Sequence, residues 1–146
     1  MKNTLEEAKE ELKRADHSIY ITLKYVRTCD IILNTIKRLI NAFDLGILAL
    51  LKKLHENKKI KQIPISVVER SDLIEKMLPK TKPFLKYYKT FKKLTKCEYS
   101  TKEEFRKHIT LISKDKKPIE VNVDTLIEYF EKTIEFIRFV EQKINE

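Results

Sequence analysis

Apolar residues recur at helical spacing through most of this chain. Leu5, Ala8, Leu12, Ala15, Ile19, Leu23 and Val26 follow one another at steps of three and four, which predicts an amphipathic helix over residues 4–26. Thr4 and Glu7 have capping-box spacing at its start, because each side chain can bond the other's free backbone N–H. The β-branched residues between Ile19 and Thr22 lose rotamer freedom in a helix and predict a local break. Asp30 is the expected cap of a second helix over residues 31–57. Its apolar positions, among them Ile32, Ile36, Leu39, Phe43, Ile47, Leu50 and Leu54, form a face broad enough for the centre of a bundle. Gly46 interrupts that face, so it marks either a close helix contact or a kink.

Beyond a basic loop at residues 56–66, Ser66 is placed to cap a short helix that Pro79 ends. Thr81 is placed to cap another, with Pro83 in its first turn, running to about Lys96. Ser100 or Thr101, followed by Glu103 and Glu104, predicts a further helix ending near Ser113. The short segment 119–123 reads as extended, and Asp124 as the cap of a last helix bearing Leu126, Ile127, Phe130, Ile134, Ile137 and Ile144. The expected fold is an all-α, single-domain bundle of five to six helices spanning residues 1–146.

Composition narrows the possible functions. One Gly in 146 residues excludes glycine-rich dinucleotide and phosphate-binding loops. Two Cys cannot build a disulfide framework, and three scattered His give no metal-ligand spacing. No cofactor, metal or small-molecule substrate is therefore expected. The charged N-terminal residues lack a signal-peptide core, and the longest apolar run, Leu45–Leu51, is too short to span a membrane. A cytoplasmic protein with reduced thiols and no membrane partner is expected. Cys29 precedes a helix start, where amide dipoles favour a thiolate, but no base lies within reach in sequence.

The net charge of +9 is concentrated in two segments. Residues 31–62 hold seven basic and two acidic side chains, and residues 80–99 hold seven basic and one acidic. In the second segment Lys82, Lys86, Lys89, Lys93 and Lys96 step by four, three, four and three, which aligns them on one helix face. Aromatic residues are interleaved, with Tyr87 a candidate for stacking on a base. Like charges in a row repel, and a polyanion relieves that repulsion. The stripe therefore reads as a contact for RNA or DNA, or else as the solvated face of a lysine-rich helix.

A second polar constellation comprises His17, Tyr20 and Arg27 on the first helix and Asn41 and Asp44 on the next. If the two helices pack antiparallel, these groups can form an interhelical network. Acid, imidazole and phenol held together could also serve acid–base hydrolysis.

Residues 15–51, ADHSIYITLKYVRTCDIILNTIKRLINAFDLGILALL, resemble the opening helices of HEPN-like bundles and of uncharacterised archaeal helical proteins. The resemblance implies an all-helical, often dimeric protein, and in many members a metal-independent ribonuclease. The family's catalytic signature is an Arg followed four to six residues later by His. Here Arg14 precedes His17 by three and Arg106 precedes His108 by two, so those catalytic roles do not carry over. What remains implied is a non-catalytic bundle that binds RNA or forms a homodimer. The alternatives are a protein–protein module without nucleic acid and a HEPN-like ribonuclease.

Overall fold

The computed structural model describes residues 2–146. The described residues are 71% helical, with one small sheet of three strands among them. Helix α1, Lys2–His17, continues through a π turn at Ser18–Thr22 into the single turn α2, Leu23–Tyr25. The break expected from the β-branched residues is thus a local widening of the helix. The capping box is not formed. The helix begins before Thr4, whose buried hydroxyl accepts a hydrogen bond from Lys52 Nζ at 2.8 Å.

Helix α3, Cys29–Glu56, is the centre of the molecule. Thr28, not Asp30, caps it, its hydroxyl accepting from the Ile31 amide at 3.4 Å. Contacts from Lys52 to Thr4 and from Arg38 to Glu11 show that α3 runs antiparallel to α1. Gly46 marks the close approach of a further helix, α6, Val123–Ile144. A Cβ on Gly46 would lie 2.8 Å from the Phe136 ring and 3.0 Å from Ile137. Phe136 stacks on Phe43 with ring centres 4.5 Å apart, so the ring has little room to retreat.

Helix α4, Val67–Met77, leads through a short turn at Pro79–Thr81 into α5, Lys82–Lys96. Ser66 and Thr81 sit at the expected boundaries, although neither side chain caps an amide. Thr81 instead donates its hydroxyl to the Leu78 carbonyl. Leu85, Tyr88, Phe91 and Leu94 bury one face of α5, and Phe91 packs on Phe43 and Tyr129. Aromatic rings from α3, α5 and α6 thus form one continuous core.

The helix expected over residues 100–113 is a β-hairpin. Strand β1, Tyr99–Lys102, pairs antiparallel with β2, Thr110–Ser113, and β2 pairs with β3, Glu120–Val121. Leu111 and Val121 are opposed and buried, with Ile109 at the strand entrance. Burial of these β-branched and apolar side chains outweighs the helix-start signal of Glu103 and Glu104, which lie in the exposed turn. The extended reading of residues 119–123 holds at β3. Asn122 rather than Asp124 caps α6, accepting from the Thr125 amide at 2.8 Å. Mostly helical architecture stands, with a small sheet added to the expected bundle.

Candidate nucleic-acid interface

Helix α5 places its lysines by simple periodicity. Once Leu85, Tyr88, Phe91 and Leu94 turn inward, the residues on the opposite face must meet water. Lys82, Lys86, Lys89, Lys93 and Lys96 are all exposed, a row about 21 Å long at the rise of an α-helix. Two of them form ion pairs, Lys89 with Glu75 of α4 and Lys93 with Asp115, each at 3.2 Å. Exposed pairs of this kind contribute about 0–1 kcal/mol and exchange readily for another anion.

The Lys93–Asp115 pair brings a second group of cations to the stripe. The Lys114 amide donates to the Glu98 carbonyl, anchoring the loop that carries Lys114, Lys116 and Lys117 beside the end of α5. All three are exposed. The Lys116 amide, and then the Lys93 ammonium, hold the Asp115 carboxyl below its ordinary pKa. This extension was not visible in the sequence, because the loop lies some twenty residues from the stripe and joins it only through the hairpin.

Tyr87 is not a free stacking platform. It is half-buried, packs against Phe91 and Tyr129, and directs its hydroxyl to Glu128 at 3.4 Å. Its spacing, one residue before inward Tyr88, puts it on the border of the buried face. Lys92 lies over the Tyr88 ring at 4.6 Å from its centre and so belongs to the border as well.

The expected network of His17, Tyr20, Arg27, Asn41 and Asp44 does not form. Among the described residues no hydrogen bond or ion pair joins any two of them. The antiparallel register explains this. Arg38 is level with Glu11, and Asp44 lies about 9 Å farther along α3, level with the middle of α1 and well away from His17. The Asp44 carboxylate instead accepts the Tyr88 hydroxyl from α5. Burial raises the Asp44 pKa, while Tyr88, Lys92 and Arg70 act against that rise. Burial and the adjacent carboxylate push the Tyr88 hydroxyl above its ordinary pKa. His17 is exposed and meets only Thr22 across the π turn, at 3.4 Å, and Asn41 is exposed on α3. Tyr20 packs edge-on to Phe130. A hydrolytic centre combining His17, Tyr20, Arg27 and Asp44 has no geometric basis.

Cys29 is buried, and its thiol points to the Thr110 carbonyl at 3.6 Å. Burial raises its pKa, which opposes the thiolate that a nucleophile needs. Among the described residues no group of His, Cys, Asp and Glu is arranged to hold a metal, and no helix is long and apolar enough to cross a membrane. Comparison of the chain with protein-family models, curated proteins and solved structures finds no match.

Proposed function

We propose that this protein binds the phosphate backbone of RNA or DNA through the lysine face of α5, as a binding module rather than an enzyme. The observation that carries the reading is the uninterrupted exposed row Lys82, Lys86, Lys89, Lys93 and Lys96, extended by the lysines of the 114–117 loop. The five helix lysines alone, contacting five phosphates, contribute a logarithmic salt slope of about −3.5 on single strands and −4.5 on duplex, and each loop lysine that reaches a phosphate adds about 0.7–0.9 to its magnitude. Affinity should then fall at least about 100- to 500-fold between roughly 50 and 200 mM salt. With no free aromatic on the stripe, contacts there are to the backbone, so little sequence preference is expected.

The test is filter binding or fluorescence anisotropy with mixed-sequence RNA and DNA across a salt series. Replacing Lys86, Lys89 and Lys93 together by Glu should abolish retention while the helical circular-dichroism spectrum persists. Loss of the Lys89–Glu75 and Lys93–Asp115 pairs costs little, since such exposed contacts are each worth about 0–1 kcal/mol. Undiminished binding by the triple variant removes the α5 face from consideration.

A second reading, self-association, is supported by the exposed apolar side chains around the connection between α2 and α3. Tyr25 is 78% exposed and Phe105 is 70% exposed. The Phe105 amide donates to the Arg27 carbonyl at 2.6 Å, which brings the hairpin turn alongside Tyr25 and Val26. Light scattering that shows a monomer at high protein concentration excludes a homodimer through this surface.

A further inference from the structure

The cleft of about 540 Å³ between the π turn, the hairpin and the start of α6 lies apart from the lysine face. Its volume falls in the range of small-molecule sites. The apolar part of its wall comes from Ile19, Leu23 and Val123, and Tyr20 adds an aromatic ring that is 47% exposed. Four fixed cations line it, Lys24 and Arg27 from the first hairpin of helices and Lys102 and Lys107 from the β-hairpin. Three carboxylates line it as well: Glu103, Glu120 and Asp124.

Among the described residues none of these seven side chains is in an ion pair with another or spends its charge in a hydrogen bond elsewhere. Opposite charges that share one cleft without pairing leave room for a ligand that satisfies both. A simple anion would leave three carboxylates facing it, and a simple cation would leave four basic groups. The complementary ligand carries a phosphate for the cations, hydroxyl or amino donors for the carboxylates, and a flat ring for Tyr20. The amide of the Asn122 side chain adds a donor, since its oxygen is already committed to Thr125.

Backbone distortion gathers at the same place. The π turn Ser18–Thr22 contributes Ile19 and Tyr20, and π turns occur often at functional sites. In the hairpin turn Glu103 and Phe105 hold positive φ angles of 55° and 65°, which side-chain-bearing residues seldom adopt. Two independent elements are thus distorted where they meet across one cavity.

We propose that this cleft binds a nucleoside monophosphate, with Arg27, Lys24 and Lys102 on the phosphate, Tyr20 against the base, and Glu120 and Asp124 receiving ribose or base donors. The site does not depend on the α5 face, so the two proposals fail separately. The ligand is either a free nucleotide or the phosphorylated end of a strand, which carry the same chemistry.

Isothermal titration of the full chain with adenosine 5′-monophosphate tests the site, with adenosine and inorganic phosphate as controls. Both controls should bind at least about tenfold more weakly than the nucleotide, since each supplies only part of the contact set. Arg27→Gln and Lys102→Gln, made separately, should each weaken the nucleotide about tenfold or more. Substitution at Arg27 leaves its backbone bond to Phe105 in place, and Lys102→Gln supplies an independent readout on the other wall. The Lys86, Lys89 and Lys93 triple Glu variant should bind the nucleotide unchanged. On that variant, a 5′-phosphorylated RNA hexamer that binds as well as the mononucleotide identifies a strand end, and a hexamer that does not bind identifies a free nucleotide. No binding of the mononucleotide, phosphate binding of equal strength, or binding unaffected by both Gln variants overturns the proposal.

Discussion

Asp44 lies in an apolar stretch of α3, between Phe43 and Leu45, and its partly buried carboxylate faces α5. There it accepts the hydroxyl of Tyr88, a side chain with almost no exposed surface. A charged acceptor strengthens such a bond, and its removal costs about 1.5–3 kcal/mol. Tyr88→Phe should therefore destabilise the protein by about that amount at pH 7, measured by urea unfolding. The loss should shrink as pH falls through the raised pKa of Asp44 toward 3.8, because protonation lessens the carboxyl's dependence on the donor. The sign of the wild-type dependence follows from the raised Asp44 pKa. Between the ordinary value of 3.8 and that raised value, the folded state keeps a proton that the unfolded chain has released. Stability from this group is complete below 3.8 and declines as pH rises through the folded-state pKa. Asp44→Asn keeps an acceptor for Tyr88 without the buried charge, so its stability relative to wild type should grow as pH rises from 3.8 through the raised folded-state pKa. A constant difference across that interval would show that Asp44 does not titrate there. In sequence the anomaly was visible as one acid among apolar neighbours, but its partner was not. Periodicity fixes which face a residue occupies, and only the packing of α5 on α3 brings Tyr88 to it.

Helices were legible here because each repeats its signal over many turns. The sheet was not: strands of two to four residues offer too little alternation to outweigh a nearby Ser, Thr and Glu pattern that resembles a helix start. What decides the hairpin is non-local, the burial of Leu111 against Val121 and the docking of Cys29 against Thr110. Gly46 shows the reverse, a single residue whose meaning was narrowed to two possibilities and then settled by the neighbouring helix. Its missing Cβ admits the Phe136 ring. Gly46→Ala gains up to about 1 kcal/mol of helix propensity, yet forces the Phe43–Phe136 stack apart, and overpacking of a core costs about 1–3 kcal/mol. The net change in thermal unfolding should be destabilising. Asn41→Ala, on the exposed face of the same helix, should instead raise stability by a few tenths of a kcal/mol, about the difference in propensity. If both substitutions stabilise equally, α3 and α6 are not in close contact at Gly46.

At the scale of the molecule, the two basic segments found in the sequence take different roles. In residues 31–62 much of the positive charge sits at and beyond the C-terminus of α3. Lys53 and His55 occupy its last turn, where cations offset the carbonyl end of the helix dipole, and Lys52 reaches back to Thr4. Lys58, Lys59 and Lys61 follow in an exposed turn without a flanking helical row. The lysines of α5 are instead aligned, and the hairpin adds Lys114, Lys116 and Lys117 beside them. Linear counting gives both segments nearly equal charge, so only the fold distinguishes a cluster that stabilises a helix end from an extended face. Each phosphate contact removed should lower the salt slope by about 0.7–0.9. Replacing Lys114, Lys116 and Lys117 by Gln should thus reduce the magnitude of the slope by up to about 2–3, with weaker binding to every sequence tested. The same three changes at Lys58, Lys59 and Lys61 alter the net charge equally but leave the face intact, and the slope should stay unchanged. Equal reductions from the two sets would show that binding responds to overall charge rather than to the face that α5 and the hairpin build together.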